Sequence, residues 1–222
     1  MSNRILIGIL LCLMIREPAA AALHYTKTEG DQRETLDWTL SRQGEDWLVE
    51  ANDKDHQFRN LCRSDGDTRE WEIRGPGTRV EARAIDGALV ITGSDNGKSI
   101  DTHYALDGLP WYQPLSFSLA RFVETRKDSV EFWTIRPDNL QPIKMVALRK
   151  GVEKLAVQGR TLDADRVHIK PRGMLSMLWQ ADYWFADSGS CFIRYQSNGR
   201  IPGVANTLIE LQSETADCPP PT

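Results

Sequence analysis

Apolar and polar residues alternate along most of this 222-residue chain. Leu36, Trp38 and Leu40 share one side of 35–41, Trp71 and Ile73 one side of 70–74, and Val80, Ala82 and Ala84 one side of 79–84. A period of two is what a sheet with one dry and one hydrated face requires. Asp65-Gly66, Asp86-Gly87, Asn96-Gly97 and Asn198-Gly199 separate such runs, and these dipeptides accept the positive φ of tight hairpins. Gly75-Pro76-Gly77 and Ser188-Gly189 add further breaks. The pattern predicts strands near 22–29, 33–42, 45–52, 56–63, 68–74, 78–85, 88–93 and 98–106. It predicts others near 129–136, 142–150, 153–161, 164–170, 175–186, 190–196 and 204–212.

One interval has a different period. Leu115, Leu119, Phe122 and Val123 recur at helical spacing, with Pro114 suited to the first turn and Ser116 a second possible start. A lone short helix can pack into the concave side of a curved sheet, or bridge two halves of the chain at the surface; the bulk of its stripe favours the first. The predicted architecture is therefore mainly β: a single curved antiparallel sheet or half-barrel with one short helix in its concave face. Residues 107–114 are the best candidate for a seam, and their aromatic content points to docking rather than a free linker. The charged strand 79–85 is suited to guarding an open sheet edge.

The N-terminus reads as an export signal over 1–22. Arg4 supplies positive charge, Ile5 to Ile15 are apolar, and Ala20-Ala21-Ala22 offer a small-residue cleavage site. A lipidated Cys12 is disfavoured by the large Leu11 before it, and a retained anchor is the other alternative. The apolar run covers roughly 16 Å as a helix, about half a bilayer core. Cleavage near Ala22 leaves a single β domain over 23–213 and a Pro-rich tail over 214–222, in a periplasmic or secreted location. The 200 residues that remain carry 25 basic and 30 acidic side chains, a net charge of −5, which disfavours nucleic-acid binding.

Cys62, Cys191 and Cys218 follow the signal. They allow one disulfide and one free thiol or three free thiols; Cys62 with Cys191 is the first candidate pair, since both lie on strand-like segments. No CxxC is present, and His24, His56, His103 and His168 are scattered singly, so neither metal nor cofactor is expected. His168 falls on a hydrated face. No nucleophile elbow or phosphate-cradling glycine loop occurs. Glu131 and Asp182 sit among aromatic neighbours and could serve acid–base chemistry only if they met. No catalytic residue is assigned.

Aromatic residues carry more. Seven tryptophans are many for this length. In 175–186, alternation places Leu175, Met177, Trp179, Tyr183 and Phe185 on one face, with Leu178 and Trp184 on the other. Apolar groups on both faces mean a strand covered on both sides, by a two-sided core or by a ligand. Trp and Met surfaces are amphipathic and adaptable, which suits acyl chains.

Gly108-Leu-Pro-Trp-Tyr-Gln-Pro-Leu115, Glu131-Phe-Trp-Thr-Ile-Arg-Pro137, Trp179-Gln-Ala-Asp-Tyr-Trp-Phe185 and Phe192-Ile-Arg-Tyr195 resemble an uncharacterised family of exported bacterial proteins that carry a domain of unknown function. The resemblance covers roughly 105–212, including Pro202-Gly203 and Thr207 to Leu211. That family is similar in architecture to the LolA-like lipoprotein-carrier half-barrels, which implies a cavity for acyl chains. Expected on this basis is a non-catalytic periplasmic binding or carrier module for a lipid or other apolar ligand. Trp111, Tyr112 and Phe117 would form its mouth, and Trp133, Trp179, Tyr183 and Phe185 its wall. An envelope interaction or assembly factor with a protein partner is the alternative, and a hydrolase-type enzyme comes third.

Overall fold

The computed structural model describes residues 21–136, 139–157, 159–173, 176, 179–186, 189, 191–197 and 206–212. Strands β1 (Ala21–Glu29), β2 (Gln32–Gln43), β3 (Asp46–Asn52), β4 (Gln57–Cys62), β5 (Thr68–Gly75), β6 (Thr78–Ile85), β7 (Ala88–Asp95) and β8 (Lys98–Ala105) form an antiparallel meander. Helix α1 (Leu115–Glu124) follows, and then β9 (Ser129–Ile135), β10 (Pro142–Val157), β11 (Arg160–Pro171), β12 (Ala181–Ala186), β13 (Cys191–Ser197) and β14 (Thr207–Leu211). The second meander starts at the far edge and runs back until β14 pairs with β1, giving one sheet ordered β8 to β1 and then β14 to β9. The sheet is large, curved and unclosed, with β8 and β9 as its two edges.

Hairpin chemistry explains the meander. Asp86-Gly87 and Asn96-Gly97 both have positive φ at each residue, the two-residue geometry whose twist matches paired strands. Alternation places Trp38, Leu40, Trp47, Val49, Trp71, Ile73, Val80 and Ala82 inward, each buried. The predicted strands 142–150 and 153–161 are one element, β10: a register shift between Arg149 and Gly151 is a bulge and not a turn, and the chain reverses beyond Val157. The predicted strand 175–186 starts only at Ala181, so Trp179 precedes β12. The charged strand 79–85 lies inside the sheet as β6, between β5 and β7, and guards no edge. Its charges are those of a hydrated outer face.

Two apolar clusters fill the inner side. The larger joins β1–β3 and β9–β14 to α1, which is buried continuously from Phe117 to Val123. A ten-residue helix spans about 15 Å and cannot cover the whole sheet. The remainder, β5–β8, packs on Leu106, Trp111, Ile135 and Leu140 as a second cluster. Segment 107–114 therefore docks. Thr68 N–H donates to Trp111 O (2.7 Å), Tyr112 N–H to Trp133 O (2.8 Å) and Trp133 N–H to Pro110 O (2.9 Å), so this strap spans from β5 to the β9 edge.

Of the predicted signal, 1–20 lies outside the described residues, whereas Ala21 and Ala22 pair with Leu40 and Thr39 at the start of β1. Cys12, Cys218, the Asn198-Gly199 turn, Leu175, Met177, Leu178 and the tail 214–222 also lie outside them. Cys62 is a free, buried thiol, so the Cys62–Cys191 bond is not formed. The Cys62 Sγ lies 3.6 Å from Gln113 O instead, under the strap. Cys191 is disulfide-bonded to a partner outside the described residues.

Candidate functional site: the concave face

Helix α1 is held in the concavity by close approach at two glycines. Gly66 follows β4 with φ +91°, and a Cβ there would lie 3.1 Å from Arg121 Cβ, Ser118 Cα and Ser118 O. Ser118 Oγ donates to Gly66 O at 2.7 Å. On the other side, a Cβ at Gly189 would lie 2.6 Å from Ala120 O. Arg121, buried on the helix, pairs with Glu124 and lies over the rings of Phe117 (5.0 Å) and Trp47 (5.5 Å). That placement keeps a charge in an apolar interior by pairing it and facing it with π-systems.

The seven aromatic candidates divide between the two clusters. Tyr112, Phe117, Tyr183 and Phe185 are buried in the larger one, with half-buried Trp179 packed against it. Tyr112 stacks on Phe132 at 5.0 Å. Tyr183 lies 5.8 Å from Phe192 and 4.9 Å from Tyr195, and Phe185 lies 5.9 Å from Phe192. Trp111 belongs to the second cluster, packed against half-buried Trp133, whose indole N–H donates to Leu106 O (3.0 Å) and Asp107 (2.9 Å). The structure thus brings Tyr183 and Phe185 together and sets Trp111 and Trp133 apart as members of the strap. Burial pushes the Tyr183 phenol well above its ordinary range and that of Tyr112 up to about 12, so both are neutral donors at physiological pH.

Alternation left part of this wall unmarked. Tyr25 of β1 is fully buried, its ring 5.2 Å from Phe192 and its hydroxyl donating to Phe192 O at 3.0 Å. On the inner side of β2–β4, the indole N–H groups of Trp38 and Trp47 and the Oδ1 of Asn60 are buried without a hydrogen-bond partner. Asn60 does donate from Nδ2 to Val49 O (3.2 Å). A polar side chain at the dry position between Phe58 and Cys62 was the available sequence signal. Each such group forfeits about 1–3 kcal/mol of desolvation, and an unmet group of this kind calls for an explanation.

The ionisable groups with apolar neighbours are engaged in pairs. Arg149 donates twice to buried Asp165 (3.0 and 2.5 Å). On the outer side, Asp182 accepts from Arg166 (3.0 and 3.1 Å) and lies 3.0 Å from His168 Nδ1. Burial alone would raise the Asp182 carboxyl; the His168 and Arg166 contacts hold it below the ordinary range. Glu131 pairs with Arg172 and stands three strands from Asp182, roughly 14 Å, so these carboxylates do not meet. His103 lies 3.6 Å from Asp101 on the exposed edge strand. Among the described residues, no cluster of three or more His, Cys, Asp or Glu has metal-binding geometry. A shallow outer cleft of about 90 Å³ is lined by Arg59, Glu70, Glu72, Glu81 and Arg83.

Among the described residues, these features define a β-barrel-like module: one unclosed antiparallel sheet around one buried helix. Its structure is similar to the crystal structure of a β-barrel-like protein of domain of unknown function DUF1849 from Brucella abortus, with a TM-score of 0.61, 9% identity, and 87% of this chain and 96% of that chain covered. A DUF1329 family protein from Desulfovibrio piger aligns at a TM-score of 0.30 and 8% identity, covering 87% of this chain and 83% of that one. No family model matches the sequence, and no curated protein matches it. The likeness establishes the fold.

Proposed function

We propose that this chain is a non-catalytic binding or carrier module for an acyl-type ligand, related in plan to the lipoprotein-carrier half-barrels and working outside the cytoplasm after signal cleavage near Ala22, at the very start of β1. The observation that carries the proposal is the chemistry of the concave face. It joins an aromatic wall of Tyr25, Tyr183, Phe185 and Phe192 to unmet polar groups on Trp38, Trp47 and Asn60. An acyl chain ending in a carboxylic acid or a hydroxyl-bearing ester matches both halves, burying about 0.8 kcal/mol per methylene while its oxygens accept from the indoles and its O–H donates to Asn60 Oδ1. The ligand enters by wedging between α1 and the wall. The helix suits such a part because its first turn has no side-chain cap and its contacts are mainly apolar. The salt-bridged carboxylates support a binding role over a catalytic one.

Native mass spectrometry of protein gently purified from the cells that make it is the test. A co-purifying adduct with the mass of a fatty acid or phospholipid is expected. A ligand-free protein that binds neither oleate nor phospholipid in titration overturns the proposal.

A further inference from the structure

The outer edge of β8 is a full-length strand whose backbone has no partner among the described residues. The Asn96-Gly97 hairpin makes Asp95 and Lys98 its closing pair, so even-numbered residues of β8 hydrogen-bond to β7. Ser99, Asp101, His103 and Ala105 then aim their N–H and C=O groups outward. Ile100, Thr102 and Tyr104 face the second core and are half-buried; Ser99, Asp101, His103 and Ala105 are exposed on the other face. Three of the usual edge devices are absent, proline, a bulge and a short span, and the edge charges are Lys98 at the hairpin end and Asp101 near the middle.

We propose that β8 pairs antiparallel with β8 of a second copy about a two-fold axis at Thr102, joining two sheets into one. A two-fold normal to the sheet keeps the inner face inner only if residues of the same parity face each other. That leaves few registers, and the one centred on Thr102 is self-complementary. It sets Thr102 against Thr102, Ile100 against Tyr104, Asp101 against His103 and Ser99 against Ala105. Threonine pairs, aromatic with β-branched pairs and opposite charges are the favourable cross-strand combinations. Centring on Asp101 places two carboxylates face to face, and centring on His103 shortens the overlap. In the Thr102 register the outward residues of each strand are also those that exchange backbone bonds, giving about eight hydrogen bonds across the axis. The contact is isologous and closes on itself, as dimer interfaces do.

Light scattering over a concentration series tests this, with circular dichroism confirming that each variant is folded. The wild-type protein is expected at twice the monomer mass at high concentration. Asp101→Lys, which removes the carboxylate acceptor opposite the His103 imidazole, is expected to weaken association by about tenfold. Asp101→Lys with His103→Asp restores opposite charges and the dimer. Thr102→Cys, lying on the axis within disulfide reach, is expected to cross-link on oxidation. Lys98→Cys, roughly 27 Å from its mate in this register, does not. A wild-type monomer at several hundred micromolar overturns the proposal. So do a dimer indifferent to Asp101→Lys, a dimer in which Thr102→Cys fails to cross-link, and a monomer carrying a foreign peptide along β8.

Discussion

Replacing Gly66 by alanine tests whether α1 is pressed into the concave face. The substitution acts twice. At φ +91° an L-residue is strained, costing on the order of 1–2 kcal/mol. Its methyl would also stand 3.1 Å from three atoms of Ser118 and Arg121, two of them helix backbone, so the helix must shift and loosen its packing. Overpacking of this kind costs about 1–3 kcal/mol. The sum, about 2–5 kcal/mol, is a large share of the stability of an ordinary domain and corresponds to a fall in Tm of roughly 5–15 °C at this size. Gly44→Ala is the matched control: its φ is +65° and nothing lies within 4 Å of the added Cβ, so it carries the backbone cost alone. Thermal and urea unfolding followed by circular dichroism and tryptophan fluorescence give the difference between the two. Equal losses for Gly66→Ala and Gly44→Ala would refute the docking of α1 on this turn.

Other consequences are tested as simply. Asp182 has a lowered folded pKa, so its contribution to stability is present above the unfolded carboxylate range and is lost as pH falls through the folded value; Asp182→Asn is expected to flatten that acid limb in urea titrations. Asp67 is opposite in sign: burial raises its carboxyl, so the charged form burdens the fold at neutral pH while Oδ1 accepts from Trp111 N–H at 2.9 Å. Asp67→Asn keeps an acceptor and is expected to stabilise at pH 7, with the gain vanishing once both states are protonated in acid. The Cys62 thiol, buried and pushed up to about 12, is expected to react with Ellman's reagent only at the rate of global unfolding. Thr68→Val removes the hydroxyl that donates to Gln113 O (2.5 Å) and accepts from Gln113 N–H (2.8 Å), and is expected to cost about 2–4 kcal/mol through loosening of the strap.

The strands, their inward residues and the helix were legible because each is written in local periodicity. Trp38, Trp71 and Val80 alternate with charges that can only face water, and the Asn-Gly and Asp-Gly turns fix where the chain reverses. The long β10 was not, because Gly151 looks like a turn residue and a bulge uses the same positive φ as a reversal. Which strands meet was also hidden. The pairing of β14 with β1, and with it the contact of Tyr25 with Phe192, depends on the helix returning the chain to the far edge, which no local pattern encodes. For the same reason the aromatic candidates were legible as apolar but not as two groups: Trp111 and Tyr112 are neighbours in sequence that serve different clusters. Cys62 read as a disulfide partner because strand position says nothing about what lies across the sheet.

Hydrogen exchange read by mass spectrometry, with and without oleate or a phospholipid, tests the claim that the concave face is the binding site most directly. The expected result is faster exchange in 115–124 as the helix is displaced, slower exchange in β12 and β13, and no change in β6 and β7. Exchange that is unaltered throughout, or altered only on the outer charged face around Arg59, Glu72 and Arg83, would contradict the account.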